Sequence, residues 1–370
     1  MTIAPGVLVR DRPAPRVDGI DAARGLALIG MFVAHVAPAA ATPEAAELLA
    51  IADERPRLLF ALTAGFGLGF LTGGTRPVAE GRGAISRQLA IRAIILIALG
   101  LVIGATLRPL VFIILDVYGV AFLLMLPLLF VPARVALVLG TGLLAVTPGL
   151  AAAAAYDPVL VDARGGEWGL VLDWALTGAY PVIVWVPVML IGLGLARLGA
   201  SEPSVVPRYA LAGALTAVVM LPLTRALPAE SDATASVFEH AVSASALALG
   251  NVGLGLVIVA AMVLLTALAR PAVTRVAGWV LSPVIAMGAM PLTIYTLHLV
   301  VISAAKRVEG GFITDDSWEL TVGLIVGGML FAWFWRRYLG RGPLERLLRA
   351  ASGRSRTRGL DPVDRTPPTA

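Results

Sequence analysis

Ten long apolar stretches constrain this chain more than any other feature of its sequence. Short segments that carry most of the charged residues separate them. A helix needs about 20 apolar residues to cross a bilayer, and inside the bilayer it satisfies its own backbone polar groups. The sequence therefore predicts an all-α, polytopic integral membrane protein with about ten transmembrane helices. The stretches are residues 20–40, 57–73, 88–107, 110–131, 135–155, 176–198, 208–228, 243–268, 279–304 and 318–338.

The composition agrees with a membrane protein. Hydrophobic residues make up 58% of the chain and charged residues 14%, whereas a soluble domain has about 25% charged residues. Because cysteine is absent, disulfides, cysteine nucleophiles and thiolate metal sites are excluded. The sequence contains no G-x-S-x-G elbow, Walker loop or metal-ligand cluster, so we expect no metal site. The pI near 10 does not by itself indicate nucleic-acid binding, and we expect no nucleic-acid partner. Gly65 and Gly69 are one helical turn apart and predict close helix packing rather than a nucleotide-binding loop.

The distribution of charge predicts the orientation in the membrane. With ten crossings, one side carries both termini, 20 cations and seven acids, and the other side carries seven cations and 15 acids. The positive-inside rule then places both termini in the cytoplasm. The N-terminal segment imitates a secretory signal, but its long leader and the charged groups in its apolar run favour retention. We expect residues 1–339 to form one transmembrane domain and residues 340–370 a basic cytoplasmic tail that is partly disordered.

The first apolar stretch carries a cation and an imidazole on one face. Arg24 and His35 are eleven residues apart, which is about three helical turns, or ~16 Å along the axis. Leu28 and Met31 lie between them on the same stripe. Asp21 precedes Arg24 by one turn, close enough to pair with it.

Ionisable groups inside a bilayer cost about 2.5–3.5 kcal/mol each at the centre of a helix, so each one needs a reason. The predicted topology places His35, His298 and Asp116 in the outer halves of three different helices. Tyr118 lies beside Asp116 in the sequence. This common depth favours a shared catalytic site.

Simpler roles remain open for several of these residues. Asp116 can be a buried partner for Arg108 or for a histidine, and His298 can merely bridge two helices. Arg92 lies near the end of its stretch, where an arginine can reach the membrane surface. His240 falls in a predicted outer loop and requires no explanation.

Five segments resemble known membrane enzymes. Asp21–Gly25 together with His35 resembles the opening motif of the transmembrane acyltransferases, in which an arginine precedes a histidine by eleven positions. The full set is similar to bacterial relatives of heparan-α-glucosaminide N-acetyltransferase and to the neighbouring DUF418 group. Many of these relatives have asparagine where this chain has His35. The other four segments are Arg57–Gly65, Ala179–Gly194, Met290–His298 and Gly340–Glu345.

The resemblance implies a multi-pass enzyme of the bacterial inner membrane. Such an enzyme moves an acyl group, commonly acetyl, from cytoplasmic acyl-CoA to a hydroxyl or amine of an extracytoplasmic or lipid-linked glycan. Acetyl-CoA or another acyl-CoA is thus the expected donor, with no metal. The expected partners are this donor, a glycan or glycolipid acceptor and membrane lipids, and a homodimer is left open.

A mechanism compatible with this resemblance places the CoA arm along the Arg24–His35 stripe. Arg24 would anchor a phosphate or polarise the arm, and a neutral imidazole would accept the proton of the acceptor as it attacks. We expect His35 to be the principal base, His298 the second choice, and Asp116 to orient the imidazole. The candidate residues are His35, His298 and Asp116 for catalysis, Arg24 and Arg92 for acyl-CoA binding, and Tyr118, Tyr180 and Trp185 for substrate binding.

A different class of function also accounts for the titratable groups. His35, Asp116 and His298 could form the proton relay of a proton-coupled exporter. Transporters often contain paired repeats with broken helices, and no such repeat is visible in the sequence.

Overall fold

The computed structural model describes residues 17–228 and 234–353, and this part of the chain is almost entirely helical. The all-α prediction is confirmed. The first arginines of the chain and the predicted disordered part of the tail lie outside the described residues. The helices are α1 (Asp18–Val36), α2 (Pro43–Leu49), α3 (Arg55–Leu71), α4 (Arg82–Thr106), α5 (Leu115–Met125), α6 (Ala133–Leu144), α7 (Thr147–Ala155), α8 (Pro158–Arg164), α9 (Gly169–Leu172), α10 (Val182–Leu198), α11 (Val206–Arg225), α12 (Val237–Val263), α13 (Pro271–Val280), α14 (Ser282–Ala289), α15 (Pro291–Ala304), α16 (Trp318–Tyr338) and α17 (Pro343–Ala351).

Six helical segments of the described chain are long and apolar enough to cross a membrane. Two further pairs of helices, bent by 44° and 65° at short breaks, raise the number to eight if each pair forms one span. Three other apolar helices are shorter: α3 has 17 residues, and α5 and α15 have 11 and 14. The chain is therefore a multi-pass membrane protein, while ten crossings and the cytoplasmic termini stay predictions.

Four of the predicted stretches are not continuous helices, and one of them, 135–155, is divided into α6 and α7 between Leu144 and Thr147. The stretch 279–304 is broken at Met290, where φ is −134° and ψ is 55°. The next residue, Pro291, has no N–H group and restricts the backbone of the residue before it, so α14 ends and α15 begins there. The stretch 176–198 is interrupted ahead of Pro181 and continues as α10. In the stretch 110–131, helix α5 begins only at Leu115.

Helix α1 lies at the centre of the packing, against α3, α12 and α14. Glycine permits its close approach to α14, because a Cβ atom on Gly288 would lie 1.8 Å from the carbonyl oxygen of Asp21. A Cβ atom on Gly25 would likewise lie 2.1 Å from the carbonyl oxygen of Val284. This contact brings the backbone of α14 to the side chains of the first turns of α1.

The predicted glycine packing of the second stretch is confirmed. A Cβ atom on Gly65 would lie 2.1 Å from the carbonyl oxygen of Met189 in α10, and one on Gly69 would lie 2.4 Å from Cβ of Ala196. The glycines therefore allow α3 and α10 to pack backbone to backbone. Two aromatic side chains of the sites described below belong to this pair of helices, Phe60 in α3 and Trp185 in α10.

A short hairpin follows α15 and was not expected from the sequence. Strands β1 (Arg307–Glu309) and β2 (Phe312–Thr314) pair antiparallel. Beyond β2, the N–H group of Ser317 donates to the carbonyl oxygen of Val36 at 2.8 Å. The segment that leads into α16 is thereby attached to the end of α1, next to His35.

Candidate active site

Arg24 links three helices. Its Nη1 donates to Oδ1 of Asp21 at 3.0 Å and to the carbonyl oxygen of Gly288 at 3.1 Å. Its Nη2 donates to the carbonyl oxygen of Thr63 at 2.9 Å. The predicted pairing with Asp21 is present, and the guanidinium also fixes α1 to α3 and α14. Much of the hydrogen-bonding capacity of Arg24 is therefore used within the protein.

A cavity of about 320 Å³ lies beside Arg24 and is called the Arg24 cavity below. Its walls come from α1, α3, α4, α5, α15 and α17, and most of the lining side chains are apolar. Sites for small ligands commonly combine such apolar walls with a few polar groups. The polar side chains of the lining are Arg24, Arg92, Tyr118, Tyr295 and Glu345.

Helix α17 forms one wall of this cavity through Glu345 and Leu348. The carboxylate of Glu345 accepts hydrogen bonds from the backbone N–H of Thr293 at 3.1 Å and from its hydroxyl at 2.5 Å. Nε of Arg92 donates to the hydroxyl of Ser352 at 3.2 Å. The beginning of the predicted cytoplasmic tail is thus anchored to α15 and α4 as part of the cavity wall.

Two tyrosines line the cavity, and only one of their hydroxyl groups has a hydrogen-bond partner among the described residues. The hydroxyl of Tyr295 accepts a hydrogen bond from the backbone N–H of Ile114 at 3.1 Å. The hydroxyl of Tyr118 is buried without a hydrogen-bond partner among the described residues. An unpaired buried hydroxyl costs about 1–3 kcal/mol. Tyr118 thus lines the cavity with an unpaired hydroxyl, and its substrate-binding role stays a prediction.

The structure brings the two predicted histidines together. Nδ1 of His35 lies 3.0 Å from Nε2 of His298, and the rings are stacked with centroids 5.3 Å apart. Nδ1 of His298 lies 2.5 Å from the carbonyl oxygen of Tyr295. The ring of Tyr295 lies edge-on to that of His298 at 4.7 Å. Tyr295 thus joins the histidine pair to the Arg24 cavity.

The hydrogen bonds assign the protons of a neutral histidine pair. A carbonyl oxygen can only accept, so Nδ1 of His298 carries the proton and donates to Tyr295. Nε2 of His298 is then the acceptor for the N–H at Nδ1 of His35. This leaves a lone pair on Nε2 of His35. Of the two rings, His35 is consequently the one that can accept a proton from a substrate.

The predicted path for the CoA arm along α1 is wrong. Leu28 and Met31 are packed in the hydrophobic core, with 0% and 4% of their surfaces exposed. Their stripe therefore offers no space for a ligand. The Arg24 cavity is lined by Arg24, Tyr118 and Tyr295, and neither Leu28 nor Met31 is part of its lining.

Asp116 does not orient either imidazole. Its Oδ2 accepts a hydrogen bond from Nε1 of Trp174 at 2.8 Å. Nδ1 of His35 and Nε2 of His298 contact each other, and Nδ1 of His298 contacts the carbonyl oxygen of Tyr295. Among the described residues no hydrogen bond joins Asp116 to either imidazole, so the predicted triad is absent there, and Oδ1 of Asp116 is buried without a hydrogen-bond partner.

Trp185 lines a second cavity of about 590 Å³, whereas Tyr180 is not among its lining residues and packs against Trp185 with ring centroids 5.7 Å apart. The guanidinium of Arg57 lies over the ring of Tyr180 at 5.5 Å. Trp185 lines this second cavity and meets the edge of Tyr118, with ring centroids 5.1 Å apart. The second cavity also includes His240, which is 4% exposed and which the sequence had placed in a loop.

Comparisons with known proteins agree with this architecture. No curated protein matches the sequence closely enough to count as a relative. Residues 195–355 match the family described as "Protein of unknown function (DUF418)". Residues 16–223, more than half of the chain, match the family described as "Heparan-alpha-glucosaminide N-acetyltransferase, catalytic". This match includes Arg24, His35 and Tyr118 and indicates a membrane acetyltransferase. The chain belongs to the heparan-alpha-glucosaminide N-acetyltransferase catalytic family and continues into a DUF418 region.

Proposed function

We propose that this protein is a bacterial inner-membrane acyltransferase. It moves an acyl group, in the simplest case acetyl, from cytoplasmic acyl-CoA to a hydroxyl or amine of a glycan or glycolipid on the opposite side. The observation that carries the proposal is the Arg24 cavity. Arg24 and Arg92 are in its lining, and so is Tyr295, whose ring contacts His298. The family match supports the same reaction class.

The residues of the Arg24 cavity fit the chemistry of acyl-CoA. Phosphate groups require cationic hydrogen-bond donors, and Arg92 lies near the end of α4 that the topology places in the cytoplasm. The pantetheine arm is narrow and partly apolar, which suits walls formed by side chains such as Leu89, Leu96 and Phe122. In this proposal Arg92 binds phosphate, while Arg24 holds the helices together and faces the arm.

Tyr118 and the histidine pair supply the catalytic groups. The free hydroxyl of Tyr118 donates a hydrogen bond to the thioester carbonyl and stabilises the negative charge that develops there. Nε2 of His35 accepts the proton of the acceptor as the acceptor oxygen or nitrogen bonds to the acyl carbon. The carbon–sulfur bond then breaks, and the CoA thiolate recovers that proton from His35.

Thermal stabilisation by acetyl-CoA tests the proposal. A ligand that binds the folded protein at 100 times its Kd stabilises it by about 2.7 kcal/mol. Purified protein in detergent should therefore unfold at a higher temperature with acetyl-CoA. Arg92→Gln should reduce this effect, whereas Arg134→Gln is a control on the same predicted side, away from the lining.

The same measurement separates the proposal from the exporter alternative. A proton-coupled exporter has no need for an acyl-CoA site, so acetyl-CoA and CoA should leave its unfolding temperature unchanged. Its relay would also require a contact between Asp116 and a histidine, and no hydrogen bond joins them among the described residues. Absence of any stabilisation by acetyl-CoA, together with proton-dependent export, would replace the acyltransferase by the exporter.

A further inference from the structure

A groove of about 390 Å³ lies where two membrane-length helices, α1 and α16, meet at one end, and it is called the Arg336 groove below. Helix α1 begins there at Asp18, and α16 ends there at Tyr338. Residues of α13 and of the first turns of α14 form the rest of the wall. Because α1 and α16 are both long and apolar enough to cross a bilayer, the groove lies at a membrane surface. Its volume is within the range of ~300–1,000 Å³ that is usual for small-molecule sites.

The charged side chains of the Arg336 groove have a net positive charge. Arg336 and Arg337 stand against one acid, Asp18, whose Oδ1 lies 3.5 Å from Nη2 of Arg336. Among the described residues, the exposed side chain of Arg337 has no hydrogen-bond or ion-pair partner. A guanidinium presents its N–H donors in a planar fork that matches the oxygens of a phosphate. One ion pair beside one unpaired guanidinium therefore fits a ligand with a single negative charge.

Apolar side chains flank the groove on the surface that faces lipid. Trp333 of α16 is in the lining, and Phe334 beside it is exposed. On α13, Trp279 is 80% exposed, and Val276 and Val280 are exposed as well. Tryptophan is enriched at the interface between membrane and water, where its ring lies at the level of the lipid headgroups. The groove therefore combines a place for an anion with surfaces for acyl chains, and a phospholipid carries both parts.

The direction of α13 places the groove at the depth of the headgroups. No residue of α13 is buried, and its axis is bent by 65° from that of α14. Because α14 belongs to a predicted crossing, a helix at this angle runs closer to the plane of the membrane than to its normal. Arg270 precedes α13 and Arg275 lies within it. Arginines beside a membrane-spanning segment attract anionic lipids.

We propose that the Arg336 groove binds the headgroup of an anionic phospholipid with one negative charge, such as phosphatidylglycerol. Arg336 and Arg337 donate hydrogen bonds to the phosphate, and the acyl chains extend along Trp333 and Phe334 of α16. Basic pockets between transmembrane helices recognise phospholipid headgroups in this way. The inference is independent of the proposed acyl transfer, because the lipid is bound and not consumed.

A lipid in the groove stabilises the part of the fold that positions Arg24. The groove joins α1, α14 and α16. In the same group of helices, Nη1 of Arg24 donates to the carbonyl oxygen of Gly288 in α14. The other ends of α1 and α16 are already connected, since the N–H of Ser317 donates to the carbonyl oxygen of Val36. The bound phosphate adds the corresponding connection at the Arg336 end, and a ligand that binds only the folded protein raises its stability.

Thermal unfolding with added lipid tests the assignment. Delipidated protein in dodecyl maltoside is titrated with phosphatidylglycerol or with phosphatidylcholine, which has the same acyl chains and no net charge. Phosphatidylglycerol should raise the unfolding temperature by several degrees, whereas phosphatidylcholine and millimolar inorganic phosphate should leave it unchanged.

Two arginine variants locate the effect. Arg337→Gln keeps the pair of Asp18 with Arg336, so it should fold. It should raise the half-stabilising concentration of phosphatidylglycerol about tenfold, because a hydrogen bond to a charged group is lost. Arg208→Gln is the matched control, since Arg208 is exposed near the start of α11 and lies outside the groove. Its half-stabilising concentration should equal that of the wild type.

Asp18→Asn distinguishes a lipid site from a purely structural ion pair. The change removes the acid that competes with the phosphate for Arg336, so it should lower the half-stabilising concentration of phosphatidylglycerol several-fold. If the pair only held the helices together, Asp18→Asn would lower the unfolding temperature and leave the response to lipid unchanged, which would argue against the site.

Three further results would overturn the proposal. Equal stabilisation by the two phospholipids would show that the headgroup charge is not recognised. Equal responses of Arg337→Gln and Arg208→Gln would show that the lipid binds elsewhere. Stabilisation by inorganic phosphate equal to that by phosphatidylglycerol would make the ligand a free anion and not a lipid.

Discussion

Nδ1 of His35 hydrogen-bonds Nε2 of His298 at 3.0 Å, across 263 positions of sequence. The contact joins α1 to α15 and orders the protons of the pair from Tyr295 through His298 to His35. When His35 takes a proton from the acceptor substrate, its ring becomes positively charged. Nε2 of His298 stabilises that charge because it accepts the hydrogen bond from Nδ1 of His35. His298 is in this account a positioning residue, because it acts through His35.

The role of His298 predicts a rescue by glutamine. His298→Leu removes the acceptor for His35, and a hydrogen bond to a charged group contributes about 1.5–3 kcal/mol, so kcat should fall ~10–100-fold. His298→Gln offers an amide oxygen to His35 and an amide N–H to Tyr295, and should recover much of the rate. The KM for acetyl-CoA should be unchanged in both variants. Equal rates for the leucine variant and the wild type would exclude this role.

Arg24 should be needed for folding as much as for binding. Its guanidinium pairs with the buried Asp21 and bonds two carbonyl oxygens. Removing one partner of a buried ion pair costs about 3–5 kcal/mol, so Arg24→Ala should strongly lower the unfolding temperature. The double variant Arg24→Gln/Asp21→Asn leaves no unpaired charge and should be more stable than Arg24→Ala. A fully stable Arg24→Ala variant with weaker acyl-CoA binding would instead support a role in binding alone.

Docking of α17 should contribute to donor binding. Thr293→Val removes the hydroxyl that bonds Glu345, and loss of such a partner typically costs about 1–3 kcal/mol. The wall formed by Glu345 and Leu348 should loosen, so the affinity for acetyl-CoA should fall while the protein stays folded. Thr293→Ser keeps the hydroxyl and serves as the control. Wild-type affinity in Thr293→Val would show that α17 is not required for the donor site.

The predicted orientation can be measured in the cysteine-free chain. Arg82→Cys lies at the start of α4, and Asp162→Cys lies in α8. The charge asymmetry places these positions on opposite sides of the membrane. In intact cells, an impermeant thiol reagent should therefore modify Asp162→Cys only. Modification of both cysteines from the outside would contradict the ten-crossing topology.

The sequence was sufficient for the features that depend on local spacing and on membrane physics. The interval between Arg24 and His35 predicted a shared helix, and the intramembrane position of His298 predicted a buried polar partner. The residue spacing also predicted the pairing of Arg24 with Asp21 and the close packing at Gly65. Each of these follows from the geometry of one helix or from the cost of a polar group in lipid.

The remaining features depend on contacts between distant parts of the chain. We expected Asp116 to hydrogen-bond a histidine, but its observed partner is Trp174. Nothing in the sequence indicates that the segment with Trp174 packs next to Asp116. His240 resembled a loop residue because its burial depends on Tyr156 of the segment after α7. Glu345 resembled a tail residue because its role depends on Thr293.

Release of the CoA thiol tests the central claim most directly. Because the protein has no thiol of its own, a thiol-detecting reagent reports only CoA set free from acetyl-CoA. We expect the wild type to release CoA at a rate that depends on an added sugar acceptor. We expect His35→Asn to bind acetyl-CoA normally but to release CoA about 10²–10⁴-fold more slowly, because asparagine cannot take up the proton. Wild-type turnover by His35→Asn would contradict the assignment of His35 as the base, and sugar-independent CoA release by the wild type would contradict transfer to a glycan.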